Sequence, residues 1–395
     1  MSSIVRKIKF PLAKETINNK DIDQLIEWLS GYPKLTQGEL TTQFENDWAA
    51  YVGTKHAVYC NSGSSANLLM VYAALKGGKL KNKKVAVPAV GWVTSIAPFM
   101  QFGFEPYMVD ADPRTYGIDL DKLEDLCKKE VIGTVLFVQV LGVPHYKDEL
   151  LFMQKKYGFY LLEDACAALG AQYHDGSMVG AVGNASSFSF YFGHQLSTIE
   201  GGMVNTNDDE LYNMMMMVRS HGWGKDLPKA EYDKLMSANH IDPFHQPFTF
   251  FIPGMNLRAN DLQAFLGIQQ VKKAKWVVDS RNANHLAYAK RLTGQFEFQE
   301  WGSNKPVSIS FGCLAESSYH RKAIVNALRE HGVETRLFSA GNLGAHPFWI
   351  NEYGRFEGVV ADKIHQRGFF LPNYPELSEI EIDLICNIVT DIKVA

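Results

Sequence analysis

Short apolar segments alternate with helical patterns over the first half of the chain. The predicted strands are residues 57–60, 84–88, 104–110, 131–141 and 159–164. A stretch with the spacing of an amphipathic helix follows each of the first four. Alternating strands and helices are typical of a parallel sheet covered by helices. Such sheets bind their ligands outside the carboxyl ends of the strands.

The second half of the chain begins with a long helical pattern. Residues 257–292 keep this periodicity with only Gly267 inside it, which predicts one long helix or two in series. Ser378 and Glu381 form a capping-box signature at the start of a C-terminal helix. Between them we predict strands near residues 296–301 and 307–313 and a helix over 320–331.

These patterns predict two domains in a chain of 395 residues. Residues 1–256 form a large α/β domain with a mainly parallel sheet. Residues 257–395 form a smaller α+β domain that the chain enters through the long helix. The first residues of the chain could pack on the small domain.

The composition excludes several classes of partner. Apolar residues make up 46% and charged residues 21%, and the net charge is -4. Because there is no basic excess, neither nucleic acid nor an anionic membrane is an expected partner. The longest apolar stretch, 131–144, is shorter than a bilayer span. Residues 1–14 lack the apolar centre of a signal peptide. We therefore expect a cytoplasmic protein.

The cysteines give no framework for a metal. There are five of them, at positions 60, 127, 166, 313 and 386, and no two form a Cys-x-x-Cys pair. Metal and iron–sulfur sites need clustered thiolates, so we expect neither. We interpret the cysteines as buried thiols in a reducing compartment.

A segment rich in glycine and serine joins the first predicted strand to its helix. It reads Asn-Ser-Gly-Ser-Ser-Ala-Asn over residues 61–67 and places Ser64 and Ser65 at the start of the helix. Unpaired N–H groups at a helix N-terminus, with hydroxyls beside them, suit a phosphate. Glycine and serine also cap many helices that bind nothing. Alone, the segment is only a candidate anion site.

Two more side chains follow predicted strands at the same edge of the sheet. Asp164 ends one strand, and a carboxylate there can hold a proton on a pyridine nitrogen. Trp92 follows another, and an indole can stack on a flat aromatic ring. Taken singly, such an aspartate is more often a turn residue, and such a tryptophan more often packs in the core.

The segment 186–202 combines a short strand, a polar turn and a glycine pair. It contains Ser189, then His194 in the turn, then Glu200 followed by two glycines. A single histidine in a turn is usually a surface or core residue.

In order and spacing, these elements resemble the nucleotide-sugar aminotransferase family, a DegT/StrS-type branch of the aspartate-aminotransferase fold (fold type I). The resemblance covers nearly the whole chain and includes Gly-Met-Asn-Leu-Arg at 254–258 and Asp-Leu-Gln-Ala at 261–264. It implies a large domain that binds pyridoxal 5'-phosphate or its pyridoxamine form, and a homodimer with shared active sites.

One departure from the family pattern changes the expected chemistry. The family has a lysine six residues before the Glu of Glu-Gly-Gly, where it bonds covalently to the cofactor, and here that residue is His194. No lysine lies between Lys156 and Lys225 that could replace it. Histidine cannot form this bond, but it can transfer a proton near neutral pH. The sequence is therefore similar to the 3-dehydratase subgroup, and most similar to its GDP-linked branch.

The resemblance also implies roles for single residues. Ser64, Ser65 and Ser189 would hold the cofactor phosphate, Asp164 its ring nitrogen, and Trp92 one face of its ring. His194 would be catalytic. Three other residues would act at the site or across the dimer: Asn256 at the phosphate of the neighbouring subunit, His221 as a second catalytic histidine, and Arg336 as a ligand of a substrate carboxylate or phosphate.

A second departure concerns a polar position of the family. Ala167 stands three residues after Asp164, where the family usually has Gln or Glu. A hydrogen bond near the cofactor hydroxyl is therefore missing or comes from another residue.

The reaction that the resemblance implies removes the C3 hydroxyl of a GDP-linked 4-keto-6-deoxyhexose. L-Glutamate converts the cofactor to its pyridoxamine form, and ammonia is released at the end. Three alternatives stay open: a CDP-linked hexulose 3-dehydratase, a nucleotide-sugar aminotransferase, and a non-catalytic protein that binds the cofactor or a sugar. The cysteine spacing offers no iron–sulfur cluster, which weighs against the CDP-linked enzyme.

Overall fold

A seven-stranded sheet forms the centre of the computed structural model, which describes residues 8–392. The strands are β1 (His56–Cys60), β2 (Lys84–Pro88), β3 (Glu105–Val109), β4 (Thr134–Val138), β5 (Tyr160–Asp164), β6 (Ala185–Ser189) and β7 (Gly202–Thr206). Their order is β1-β7-β6-β5-β4-β2-β3, and β7 alone runs antiparallel to its neighbours. This mainly parallel sheet confirms the predicted fold class.

Helices cover both faces of the sheet. Leu136 and Leu162 pack in one hydrophobic cluster, whereas the alternate residues Val135, Phe137 and Leu161 pack in another. Because successive strand residues point to opposite faces, both faces are buried. The helices of this part are α1 (Asn19–Ser30), α2 (Glu39–Val52), α3 (Gly63–Lys76), α4 (Val93–Gln101), α5 (Leu120–Lys129), α6 (Lys147–Tyr157), α7 (Asp209–Arg219) and α8 (Lys229–Ala238).

One strand ends earlier than its apolar run predicts. The run over 131–141 predicts a single strand, but β4 ends at Val138 and a 3-10 turn follows over Val140–Gly142. Leu141 has a φ of 58°, in the left-handed region, so the extended backbone cannot continue through it. The turn brings Leu141 and Gln139 to the edge of the sheet where the cavity described below lies.

A single helix of 32 residues, α9 (Asp261–Leu292), leads into the last part of the chain. It begins four residues later than the predicted start at 257. Arg258 and Asn260 form isolated bridges with Cys60 and Thr36, which holds these residues extended. The side chain of Asn260 then caps the helix by accepting the N–H of Gln263 at 3.0 Å.

The last part of the chain contains a small antiparallel sheet. Its strands are β8 (Ser310–Leu314) and β9 (Gly368–Pro372), and its helices are α10 (Ser318–Glu330), α11 (Pro347–Tyr353), α12 (Val359–Arg367) and α13 (Glu379–Thr390). The capping box of Ser378 and Glu381 is present at the start of α13, as predicted. The strand predicted near 296–301 is wrong, because only Glu297 forms a bridge there, with Leu314.

Apolar contacts join this last part to the N-terminus and to the large sheet. Phe10 forms a parallel bridge with Val333 and is buried among residues of α9, α10 and α13. Phe338 and Phe370 belong to the same cluster as residues of the large sheet. We retain the division between residues 1–256 and 257–395 as a proposal. Within residues 8–392, no helix is both long and apolar enough to cross a bilayer.

His285 on α9 makes unfolding sensitive to acid. Its ring is buried between Trp301 and Phe311, and burial lowers its pKa to about 3. Between pH 6.5 and about 3 the unfolded chain protonates this histidine and the folded chain does not, so stability falls as the pH decreases through this range. We would measure the slope of the unfolding free energy against pH between pH 6 and 4. In His285→Gln we expect this slope to be smaller by about 1.4 kcal/mol per pH unit than in the unsubstituted protein. Urea unfolding at several pH values measures this.

The exposed His240, whose ring makes no hydrogen bond among the described residues, supplies a control for this experiment. His240→Asn should change the slope much less than His285→Gln does. If His285→Gln has the same slope as the unsubstituted protein, then His285 is not a source of the acid sensitivity.

Candidate active site

A cavity of about 330 Å³ lies at the carboxyl ends of the parallel strands. The strand ends and the starts of α3 and α4 supply most of its wall, as the fold class predicts. Six of the nine predicted site residues line it: Ser64, Trp92, Asp164, Ser189, His194 and Arg336. The other three, Ser65, His221 and Asn256, lie outside its wall.

The N-terminus of α3 forms one corner of the cavity. Ser62 caps the helix by accepting the N–H of Ser65 at 3.1 Å, and Ser62 also donates to the Ser65 hydroxyl at 3.0 Å. This binds Ser65 to the cap, whereas Ser64 and Ser189 face the cavity. A Cβ atom at Gly63 would lie 2.5 Å from the Ser189 Cβ, so only glycine allows α3 to approach the end of β6 this closely. The corner has the donors that a phosphate needs.

Asp164 is a buried carboxylate held in one orientation. One of its oxygens accepts the Asn67 amide at 2.9 Å and the hydroxyl of Ser95. The other accepts the N–H of Cys166 at 3.0 Å. Asn67 in turn accepts the Ser187 hydroxyl at 2.6 Å. No lysine or arginine side chain lies within ion-pair distance of Asp164 among residues 8–392, and its carboxyl group lines the cavity.

An aromatic and cationic wall faces Asp164. Trp92 is 49% exposed although it lines a cavity, so a face of its indole is open to a ligand. The guanidinium of Arg336 lies 5.7 Å from the centre of the Trp92 ring and 5.3 Å from that of Phe370. Burial lowers the pKa of Arg336, and no described carboxylate forms an ion pair with it. A guanidinium held between two rings is prepared to bind an anion.

His194 lies in the wall of the cavity as a neutral imidazole. Its N–H group on the main chain donates to the carbonyl of Tyr191 at 2.9 Å, which fixes the turn. Its ring atom Nδ1 is buried without a partner among the described residues. The pKa of His194 falls to about 4, first because of burial and then because Arg281 and Arg336 repel a proton, against the opposing charge of Asp164. At neutral pH the ring can accept a proton.

Ala167 places a methyl group where the family usually has a polar side chain. Its carbonyl accepts the Gln195 side-chain amide at 2.6 Å, and the same amide donates to the carbonyl of Val307 at 2.7 Å. The Gln195 oxygen is buried and has no partner among residues 8–392. Beside Ala167, Gln195 therefore holds the backbone of the site together.

His221 and Asn256 lie together on another surface. The His221 ring is 3.3 Å from an Arg258 guanidinium nitrogen, and Arg258 donates to the Asn256 side chain at 3.2 Å. Ser220 and Asn256 form an antiparallel bridge that joins the two segments. Asn256 is exposed and neither residue lines the cavity of its own chain.

Sequence reasoning missed several residues of the site. Asn67 and Ser95, which hold Asp164, are buried polar residues that stand next to apolar residues in the first turns of α3 and α4. That contrast could have marked them. Tyr191 lines the cavity beside His194, and only the fold shows this.

Fold and cavity together define a class: a fold type I enzyme with a histidine in the wall of the cavity at the carboxyl ends of its strands. The profile of the DegT/DnrJ/EryC1/StrS aminotransferase family matches residues 16–390. This chain therefore belongs to the DegT/DnrJ/EryC1/StrS aminotransferase family, as the sequence pattern predicted.

Individual proteins of known activity resemble this chain over nearly its whole length. The chain is 34% identical over 383 residues to GDP-4-keto-6-deoxy-D-mannose 3-dehydratase of Yersinia pseudotuberculosis, a match that covers 94% of this chain and 96% of the relative. A crystal structure of a histidine-to-asparagine variant of GDP-4-keto-6-deoxymannose-3-dehydratase with bound GDP-perosamine superposes with a TM-score of 0.89 at 28% identity, covering 96% and 100% of the two chains. Another, with a trapped PLP-glutamate geminal diamine, has a TM-score of 0.86 at 28% identity and the same coverage.

Proposed function

We propose that this chain is a pyridoxal-phosphate-dependent 3-dehydratase of a GDP-linked 4-keto-6-deoxy sugar, with L-glutamate as the amine donor. The observation that carries the proposal is His194. A half-buried, neutral imidazole lies in the cavity wall at the position that the family gives to a lysine. The names of the relatives support the GDP-linked sugar and glutamate as the two substrates.

The residues of the cavity fit pyridoxal phosphate. Ser64, Ser189 and the N-terminus of α3 would hold the phosphate, since they combine hydroxyls with the N–H groups of a first helical turn. Asp164, whose carboxylate has no cationic partner among residues 8–392, would pair with the ring nitrogen. The open face of Trp92 would cover the ring.

His194 would transfer the protons of the dehydration. When bound in its amine form, the cofactor supplies the electron sink for loss of the sugar's C3 hydroxyl. The neutral imidazole of His194 accepts a proton, and the imidazolium that results can return one to the departing oxygen. No lysine lies between Lys156 and Lys225, so no amine of this segment competes for the cofactor.

The overall reaction balances with glutamate alone. The sugar loses its C3 hydroxyl and gains hydrogen at that carbon. Glutamate supplies the two electrons as it becomes 2-oxoglutarate, and its nitrogen leaves as ammonia. No further reductant is needed, unlike in a dehydratase that depends on a reductase partner.

Arg336 would bind the anionic part of a substrate. Its guanidinium lies beside Trp92, so an anion that it binds would lie next to the cofactor ring. A planar fork of donors suits both the carboxylate of glutamate and a phosphate of the nucleotide sugar.

The active unit would be a cytoplasmic homodimer in which each subunit completes the other's cavity. His221 and Asn256 support this proposal, because they lie side by side at the surface and outside their own chain's cavity. In a two-fold dimer, the same surface of each subunit can reach the other subunit's site.

A mixing experiment tests this shared site. We expect His194→Asn and His221→Asn homodimers to be inactive, and a mixture refolded from equal amounts to regain about a quarter of the normal activity. Half of the dimers would then be mixed, and each mixed dimer would have one intact site. Turnover of the refolded mixture measures this. If both histidines acted within one chain, the mixture would stay inactive.

The function itself is tested with the reaction products. We would mix the protein with pyridoxal phosphate, glutamate and GDP-4-keto-6-deoxymannose, then measure ammonia and the mass of the sugar. Loss of the C3 oxygen with one ammonia for each 2-oxoglutarate is the expected result. A stable amino sugar without ammonia would identify an aminotransferase, and binding without turnover would identify a non-catalytic protein. Turnover of the CDP-linked sugar alone would correct the nucleotide.

A further inference from the structure

Arg281 is a buried cation directly behind the turn of His194. It lies in the second half of α9 and has no exposed surface. One guanidinium nitrogen donates to the carbonyls of Ile309 at 3.1 Å and Ser308 at 3.5 Å, and also to the carbonyl of Asn373. The other donates to the carbonyl of His194 at 3.2 Å. Four carbonyls from three separate segments therefore surround one side chain.

The charge of Arg281 is costly in this place. Among residues 8–392 no carboxylate lies within ion-pair distance, and burial lowers the pKa of Arg281 to about 10. A buried cation without a counter-ion destabilises a fold unless dipoles solvate it well. Carbonyl dipoles do so here, but a neutral side chain would avoid the penalty. Packing alone therefore does not explain why a charged side chain occupies this position.

We propose that Arg281 is a positioning residue for His194. It fixes the His194 turn to the backbone at one end of the small sheet, directly before β8 and directly after β9, and keeps a permanent positive charge behind the imidazole. Fixing the turn holds the ring at one distance from the cofactor pocket, and the charge opposes protonation of the ring before catalysis. The catalytic part of this role rests on the function proposed above.

Three charged groups face His194, and Arg281 is the one whose charge substrate binding leaves unchanged. Asp164 on β5 favours the protonated imidazole, whereas Arg281 on α9 and Arg336 near β9 oppose it. On the turn itself, the Tyr191 ring lies 6.3 Å from the imidazole. Arg336 faces the cavity, so an anionic substrate would neutralise its effect. Arg281 is not part of the cavity wall, so its charge persists when substrates bind.

A titration of His194 tests the proposal without cofactor or substrate. We would label histidine at Cε1 with 13C, assign His194 by its absence in His194→Asn, and follow its resonance against pH by NMR. In Arg281→Gln, which removes the charge, we expect the midpoint to rise by about one pH unit. In Arg281→Lys, which keeps it, we expect a change of less than about 0.3 pH units. Equal midpoints in the Gln variant and the unsubstituted protein would overturn the proposal.

Activity separates this proposal from the proposed function. If the unsubstituted protein has no dehydratase activity, the function fails while the titration still reports on Arg281. With an active protein, we expect kcat of Arg281→Lys to fall about tenfold with KM nearly unchanged, because lysine cannot serve four carbonyls. Should Arg281→Gln not fold, Arg281→Lys decides alone: a shifted midpoint or an unchanged kcat would contradict the positioning role.

Discussion

His194→Asn is expected to lower kcat for dehydration by about 10³-fold or more and to leave cofactor binding nearly unchanged. Asparagine is polar and fits the space of the imidazole, but its amide cannot accept and return a proton. The donors around Ser64 and Ser189 and the carboxylate of Asp164 do not depend on the imidazole. Turnover with GDP-4-keto-6-deoxymannose and the absorbance titration of pyridoxal phosphate measure the two properties.

His240→Asn is the matched control for this substitution. His240 is exposed and has a φ of 53°, in a region that asparagine tolerates better than most residues. It should change neither kcat nor cofactor affinity. If His194→Asn turned over at the normal rate, His194 would have no role in proton transfer. If it lost the cofactor as well, the histidine would act in binding.

Arg219→Met is expected to lower the free energy of unfolding by about 3–5 kcal/mol. The fully buried guanidinium of Arg219 donates to Glu45 and, at 2.8 Å, to the carbonyl of Tyr59. Burial raises the pKa of Glu45, and Arg219 opposes this. Without Arg219 the carboxylate would remain buried and unpaired, which costs more than the loss of one hydrogen bond.

The pH dependence of this loss identifies its cause. A carboxyl group whose pKa is raised in the folded state is destabilising above its unfolded pKa, so the loss should be greater at pH 8 than at pH 5. Adding Glu45→Gln to Arg219→Met should recover part of the stability at pH 8. Urea unfolding at the two pH values measures both effects. A loss that is equal at pH 5 and pH 8 would show that packing, not the charge of Glu45, accounts for it.

The same ion pair supports the proposed shared site. Arg219 ends α7 and comes directly before Ser220 and His221, and it is bound to the segment that leads into the Ser62 cap. Partial unfolding here would displace His221 together with the N-terminus of α3. Activity of Arg219→Met should therefore be lost at a lower urea concentration than the bulk of the helical structure.

The sequence was most informative where a motif has fixed spacing. Asp164, Ser189 and His194 were found because each stands at a set distance from a strand end or a glycine pair, and the fold brings all three to one cavity. The alternation of apolar segments with helical patterns also predicted the succession of strands and helices along the first half of the chain. The local sequence pattern predicts these features because each depends on residues that are close together in the sequence.

Features that depend on distant contacts could not be predicted in this way. Arg281 lies 87 residues from His194 in sequence, and nothing in the pattern of α9 marks it as a partner of that turn. The residues near Phe296 have a strand-like composition, but among them only Glu297 forms a β-bridge, with Leu314. Ser65 matches the family motif as well as Ser64 does, yet its hydroxyl is bound to the helix cap.

Borohydride reduction of the protein loaded with pyridoxal phosphate, followed by intact-mass measurement, tests the central claim most directly. With His194 in place of the tethering lysine, the unsubstituted chain should keep its mass after reduction and dialysis. His194→Lys should gain the mass of one reduced phosphopyridoxyl group, because its amine can bond to the cofactor's aldehyde carbon. A stable adduct on the unsubstituted chain would contradict a cofactor that is held by non-covalent contacts alone.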